Sequence, residues 1–173
     1  MNEVINALCS RRCYRSYLPE QIPNGILEEV LRAGTYAPSG NGRQPVTIVV
    51  LQKPEDIAAL ERLNASFTGN PEGHPFYGAP TVCVVLVRSD VSTAVEDGSL
   101  VMGNLLNAAA ALGLGSCWIH RARESFATEE GKAMLKAWGI TEDVIGVGHC
   151  ILGYRGGEPS PAQPRKENYI VRV

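Results

Sequence analysis

Arg11, Arg12 and Arg15 stand together in "RRCYR", in a chain whose 16 Lys and Arg do not outnumber its 18 Asp and Glu. The guanidinium fork matches the oxygens of a phosphate, so three such forks can hold an anion. A solvated cluster that complements the C-terminal end of a preceding helix would also explain them. Near the other end, "PRKENY" supplies a second basic pair, Arg165 and Lys166. It reads equally as a solvated terminus. Between the two, "APSGNGRQP" places Pro38, Ser39, Gly40 and Asn41 in a loop joining two hydrophobic segments. A loop of this composition can turn backbone N–H groups toward a flat ligand or its phosphate, or can simply connect.

"GSCWIH" raises a different chemistry, since Cys117 has small and aromatic neighbours that suit an acyl-transfer thiol. Such a nucleophile takes its His and Asn from ~130–150 residues downstream, more chain than remains after Cys117. His120 follows three residues later, which on a strand is the opposite face. His149 is a conceivable base, but no spacing pairs it with Cys117. A small buried strand residue is the better reading of Cys117. No carboxylate pair, Ser/His/Asp arrangement or phosphate-binding Gly-rich loop is present, and no residue is assigned a catalytic role of its own. Reactivity would then come from a cofactor. The five cysteines (Cys9, Cys13, Cys83, Cys117, Cys150) lack Cys-x2-Cys spacing and lie in apolar segments. That pattern predicts free thiols in a reducing, cytoplasmic setting and no metal site.

Composition narrows the field further. With 173 residues, 45% of them hydrophobic and 20% charged, the chain suits one domain, residues 1–173, with a sizeable core. A net charge of −2 gives no basis for binding nucleic acid or an anionic membrane. No apolar run approaches the ~20 residues of a membrane span.

The elements that must position these residues follow from periodicity and caps. Asn2 can cap a helix whose Val4, Ile5 and Leu8 share a face. Asn24 can cap a second helix, with Ile26, Leu27, Val30 and Leu31 as its stripe, ending near Gly34. "VTIVVLQ" (46–52), "TVCVVLV" (81–87), "GSCWIH" (115–120) and "GVGHCILGY" (146–154) read as strands. "PEDIAALERLN" is a helix with proline in its first turn. A long helix rich in Ala, Leu, Asn and Gly runs from a cap at Ser89 or Asp90 to about Leu112. Thr128 caps "ATEEGKAMLKAW". The Pro-rich stretch from Arg155 onward is expected to be extended. Strands alternating with helices imply one sheet in an α/β or α+β fold. The absence of Gly-x-Gly-x-x-Gly argues against a Rossmann dinucleotide site.

In order and spacing, "RRCYRSY", "APSGNGRQP", "PFYGAP", "NLLNAAAALGLGSCWI", "LGY" and "RKENY" together resemble the FMN-dependent nitroreductase family over nearly the whole chain. The resemblance implies an α+β fold with a central mixed sheet flanked by helices. It also implies a homodimer with FMN at the interface and an extended C-terminal tail crossing the partner. Arg11, Arg12 and Arg15 would hold the phosphate and the pyrimidine side of the flavin, and Arg165 with Lys166 would complete the phosphate site. Pro38, Ser39 and Gly40 would come from the partner subunit. The backbone of Gly115 and Ser116 would pass beside the ring, and Asn104 would mark a helix belonging to the dimer core. NAD(P)H would reduce FMN, which would then reduce a nitroaromatic or quinone in a ping-pong cycle. A non-catalytic FMN-binding protein, or a dehalogenase-like or flavin-fragmenting enzyme, would share the same features. Three departures stand out. Cys13 replaces the usual Ser, Asn41 precedes its usual place, and Val46 replaces a common Trp. The chain also lacks the long insertions that cover the flavin in many members.

Overall fold

The computed structural model describes residues 2–173. Its elements, in chain order, are α1 (Glu3–Ser10), α2 (Asn24–Thr35), β1 (Val46–Leu51), α3 (Pro54–Ala65), β2 (Thr81–Arg88), α4 (Ala94–Ala111), β3 (Gly115–Ile119), α5 (Ala122–Ala127), α6 (Glu129–Ala137) and β4 (Val144–Gly153). The strands form one sheet in the order β1-β2-β4-β3.

All three strand pairings are antiparallel, which corrects the mixed sheet expected above. The reason is topological. β2, α4 and β3 form a crossover that leaves β2 and β3 running the same way. β4 then enters between them and runs opposite to both, so no parallel pair is hydrogen-bonded among the described residues.

Strand alternation builds two cores from one sheet. On β2, Cys83, Val85 and Val87 face a cluster with α2 and α4. Val82, Val84 and Leu86 face a second cluster, with Leu60 of α3, Phe126 of α5 and Leu135 of α6. Every residue from Val82 to Val87 is fully buried, and each such valine or leucine contributes roughly 1.5–3 kcal/mol. The result is three layers, helix over sheet over helix. α4 lies close on the sheet because Gly98 has no side chain. A Cβ there would stand 2.5 Å from Val147 Cγ2 and 2.7 Å from Val87 Cγ2.

Caps explain most boundaries and two of the differences. Asn2 Oδ1 accepts from Val4 N–H at 2.9 Å, and Thr128 Oγ1 accepts from Gly131 N–H at 3.0 Å, as the sequence predicts. α2 takes Asn24 as its first residue, because Pro23 carbonyl already accepts from Ile26 and Leu27. α4 starts after Thr93, not at Ser89 or Asp90. Ser89 bonds Asp143 through both backbone and side chain, and Asp90 accepts from Arg88 Nε at 3.1 Å. Beyond Tyr154 the chain forms no helix or strand. It is held at its start by the Tyr17–Arg155 bridge and by Gly156 N–H donating to Ser16 carbonyl.

Candidate active site at the open edge of the sheet

β3 is an edge strand, and the segment after α1 covers its free side. Tyr14 N–H donates to Ser116 carbonyl at 3.0 Å. This contact brings the Arg-rich segment beside Gly115 and Ser116. A Cβ on Gly115 would meet Tyr14 Cβ at 3.1 Å and Tyr17 Cε1 at 3.2 Å. The glycine therefore permits a close approach to the chain's own tyrosines. Ser116 is buried and its hydroxyl has no partner among the described residues.

The cations divide. Arg11, Arg12 and Arg165 line one cavity of about 680 Å³ with Leu8, Cys9 and Pro164. Arg11 Nη1 also reaches Cys13 Sγ at 3.7 Å. Arg12 Nη1 donates back to the carbonyls of Cys9 and Arg11, at 3.0 and 2.8 Å, so it also serves the open carbonyls at the end of α1. Arg15 is exposed and its guanidinium lies 6.0 Å from the Tyr77 ring centroid. Lys166 does not line the cavity; its ammonium sits 5.3 Å from the Tyr169 ring. Arg155, not singled out in the sequence, lines an adjoining cavity of about 410 Å³ with Arg11, Arg12 and Tyr14. It stacks over Tyr14 at 4.8 Å and donates to Leu114 carbonyl.

The "APSGNGRQP" loop lies elsewhere. Pro38 and Ser39 line an apolar cavity of about 330 Å³ between α2, β1 and α4, with Val46 among its walls. The loop's shape is held from within the chain. Gly40 N–H donates to the buried Asp97 carboxylate at 2.9 Å, Thr93 Oγ1 donates to the same carboxylate, and Ser39 Oγ accepts from Gln44 N–H. Asn41 and Gln44 adopt left-handed backbone, a strain that such a clamp sustains. Asn41 is exposed. Pro38, Ser39, Gly40 and Asn41 therefore do not share a cavity with Arg11, Arg12 and Arg165 in one chain.

A model of the nitroreductase family matches residues 8–75 and 69–154. The chain belongs to the nitroreductase family. It is 31% identical to an inferred NADH dehydrogenase/NAD(P)H nitroreductase of Archaeoglobus fulgidus, covering 89% of this chain and 86% of that protein. Among solved structures, a nitroreductase of Bacteroides fragilis with bound FMN superposes with a TM-score of 0.92 at 26% identity, all of both chains being covered. An FMN-dependent nitroreductase of Clostridium difficile superposes with a TM-score of 0.82 at 27% identity, over 99% of each chain.

For a nitroreductase, Cys117 is not a hydrolytic nucleophile. It is 2% exposed, its thiol leans on Trp118 carbonyl, and a hydrogen bond to Cys13 together with burial raises its pKa. His149 is fully buried, with Nδ1 3.4 Å from Asn64 Nδ2 and its ring against Phe76 and Phe126. Burial lowers its pKa to about 4, so it is a neutral core residue. Asn104 donates to Ala33 carbonyl at 2.9 Å, tying α4 to α2.

Proposed function

We propose that the chain is an FMN-dependent oxidoreductase, one domain over residues 1–173, working as a homodimer in the cytoplasm. It would carry hydride equivalents from NADH or NADPH to a small acceptor such as a nitroaromatic or a quinone. The observation that carries this reading is the convergence of Arg11, Arg12 and Arg165 on one cavity. Three guanidinium groups suit a terminal monophosphate, and FMN ends in one. The FMN named with the Bacteroides fragilis and Clostridium difficile proteins supports the same choice.

Bound FMN would supply the ring that accepts and returns two electrons. The chain's own residues would bind and orient. Arg11, Arg12 and Arg165 would hold the phosphate, with Arg155 closing the adjoining wall. Lys166 and Arg15 would add charge from the rim. The Ser116 hydroxyl, buried without a partner among the described residues, would find one on the ligand's polar edge. Cys13 would present a thiol where the family usually has a hydroxyl.

Pro38, Ser39, Gly40 and Asn41 would reach the flavin of a second copy, since within one chain Pro38 and Ser39 line a different cavity and none of the four lines the cationic one. Other features support a dimer. Val4, Ile5 and Leu8 leave an apolar face of α1 exposed, and α1 buries no residue. In the tail, Tyr169, Ile170 and Val171 are 67, 73 and 79% exposed. A tail laid across the partner would cover them.

The test is steady-state kinetics with NADH or NADPH against a quinone. Alternate occupation of one pocket gives parallel double-reciprocal lines. Intersecting lines, or FMN bound without any nicotinamide oxidation, would overturn the reading.

A further inference from the structure

The proposed hydride chemistry passes no electrons through a pair of thiols, one of which, Cys13, stands at the flavin site. Tyr14 N–H donates to Ser116 carbonyl, so Cys13 and Cys117 each stand one residue from this contact between neighbouring backbones, and Cys13 packs against the apolar cluster that holds Cys117. Residues that face each other across hydrogen-bonded backbones have Cα atoms about 4.5–5.5 Å apart, a span that a disulfide bridges. Cys13 is half-buried, with Arg11 Nη1 at 3.7 Å from its sulfur, whereas Cys117 lies beneath it in the core.

We propose that Cys13 and Cys117 form an oxidisable dithiol that a hydroperoxide closes to a disulfide. Cys13 is the attacking sulfur. The hydrogen bond from Cys117 acts most strongly to lower its pKa; burial opposes this, and Arg11 and Arg15 lower it further. A thiolate that is cation-paired and partly exposed is the reactive form. In the first step the Cys13 sulfur bonds to the terminal peroxide oxygen, the O–O bond breaks, and the departing hydroxide (alkoxide, for an organic hydroperoxide) takes up the proton that Cys13 gave up on ionising, leaving as water or alcohol. Cys13 is then a sulfenic acid. In the second step the Cys117 sulfur attacks Cys13, the S–O bond breaks, and the hydroxide leaves with the Cys117 proton as water. The two thiols lose two electrons, and the hydroperoxide gains them.

The other thiols differ. Cys83 and Cys150 also face each other across β2 and β4. Both are fully buried, and burial raises the pKa of both. They pack against the cluster on the α4 side of the sheet, out of reach of solvent. Cys9 is exposed on α1 and has no cation reaching its sulfur among the described residues.

The experiment treats the reduced protein, as purified, with hydrogen peroxide and maps the linked peptides by mass spectrometry without reductant. The expected product has lost two hydrogens and joins Cys13 to Cys117. In Cys117→Ser, the sulfenic acid should persist on Cys13 and be trapped by dimedone. In Cys13→Ser, peroxide should oxidise Cys117 at least about tenfold more slowly than it oxidises Cys13 in the parent protein. A Cys9–Cys13 link, or Cys13 left unmodified in protein of native circular dichroism, would overturn the proposal. These readouts need no flavin, so they are independent of whether FMN binds.

Discussion

At the scale of single residues, the arginines carry the account. If Arg11 and Arg165 hold a phosphate, replacing either with Ala removes a charge-assisted contact worth about 1.5–3 kcal/mol. FMN affinity should then fall roughly ten- to a hundredfold, while riboflavin, which has no phosphate, should lose far less. Fluorescence titration of both ligands checks this. Equal losses for the two would mark the arginines as structural. The type and grouping of these cations were legible in the sequence, because phosphate chemistry is written in residue type. Their division was not. Arg12 is turned partly to the carbonyls of Cys9 and Arg11, and Arg15 toward Tyr77. Both orientations depend on where α1 ends in three dimensions. Arg155 was missed because its neighbours are ordinary turn formers, and only the sheet brings it back to Tyr14.

At the scale of elements, periodicity located all four strands and most helices, because buried β-branched runs and apolar stripes are local signals. α5 escaped notice: six residues are too few to show a helical period. The start of α4 was misplaced because Ser89 and Asp90 have tertiary partners in Asp143 and Arg88, which no local pattern shows. The sheet's direction was equally hidden, since inserting β4 between β2 and β3 is a matter of topology.

His149 on β4 yields a prediction of sign. Its folded pKa, about 4, lies below the ordinary 6.5 because burial disfavours the charged ring. Above pH 6.5 the ring is neutral in both folded and unfolded chains and contributes no pH dependence. As pH falls below 6.5, the unfolded chain takes up a proton that the native one refuses, so stability declines until about pH 4. The loss should reach up to about 3 kcal/mol. Urea midpoints measured at pH 7, 6 and 5 should decrease, and His149→Leu should flatten that slope. An unchanged slope in the variant would assign the acid lability to other groups.

At the scale of the molecule, one chain holds a cationic cavity and a clamped loop that do not meet. The cationic cavity lies between α1 and the tail, and the clamped 38–44 loop lies against α4. On the proposed reading a second copy unites them, so folding, dimerisation and flavin binding should be inseparable. Removing residues 159–173 takes away Arg165 and the exposed Tyr169–Val171 stretch. The truncated chain should be aggregated or flavin-free in gel filtration monitored at a flavin wavelength. A well-folded, flavin-loaded monomer at micromolar concentration would contradict the dimeric site.

On the proposed reading, this scaffold lets nicotinamide reduce a bound FMN. The most direct measurement is an anaerobic titration of the FMN-loaded protein with NADH and with NADPH, following the visible flavin band. At least one nicotinamide should bleach the band stoichiometrically, and adding a quinone or nitroaromatic should restore it fully. A flavin that stays oxidised with both nicotinamides, or a protein that retains no FMN at all, would contradict that reading.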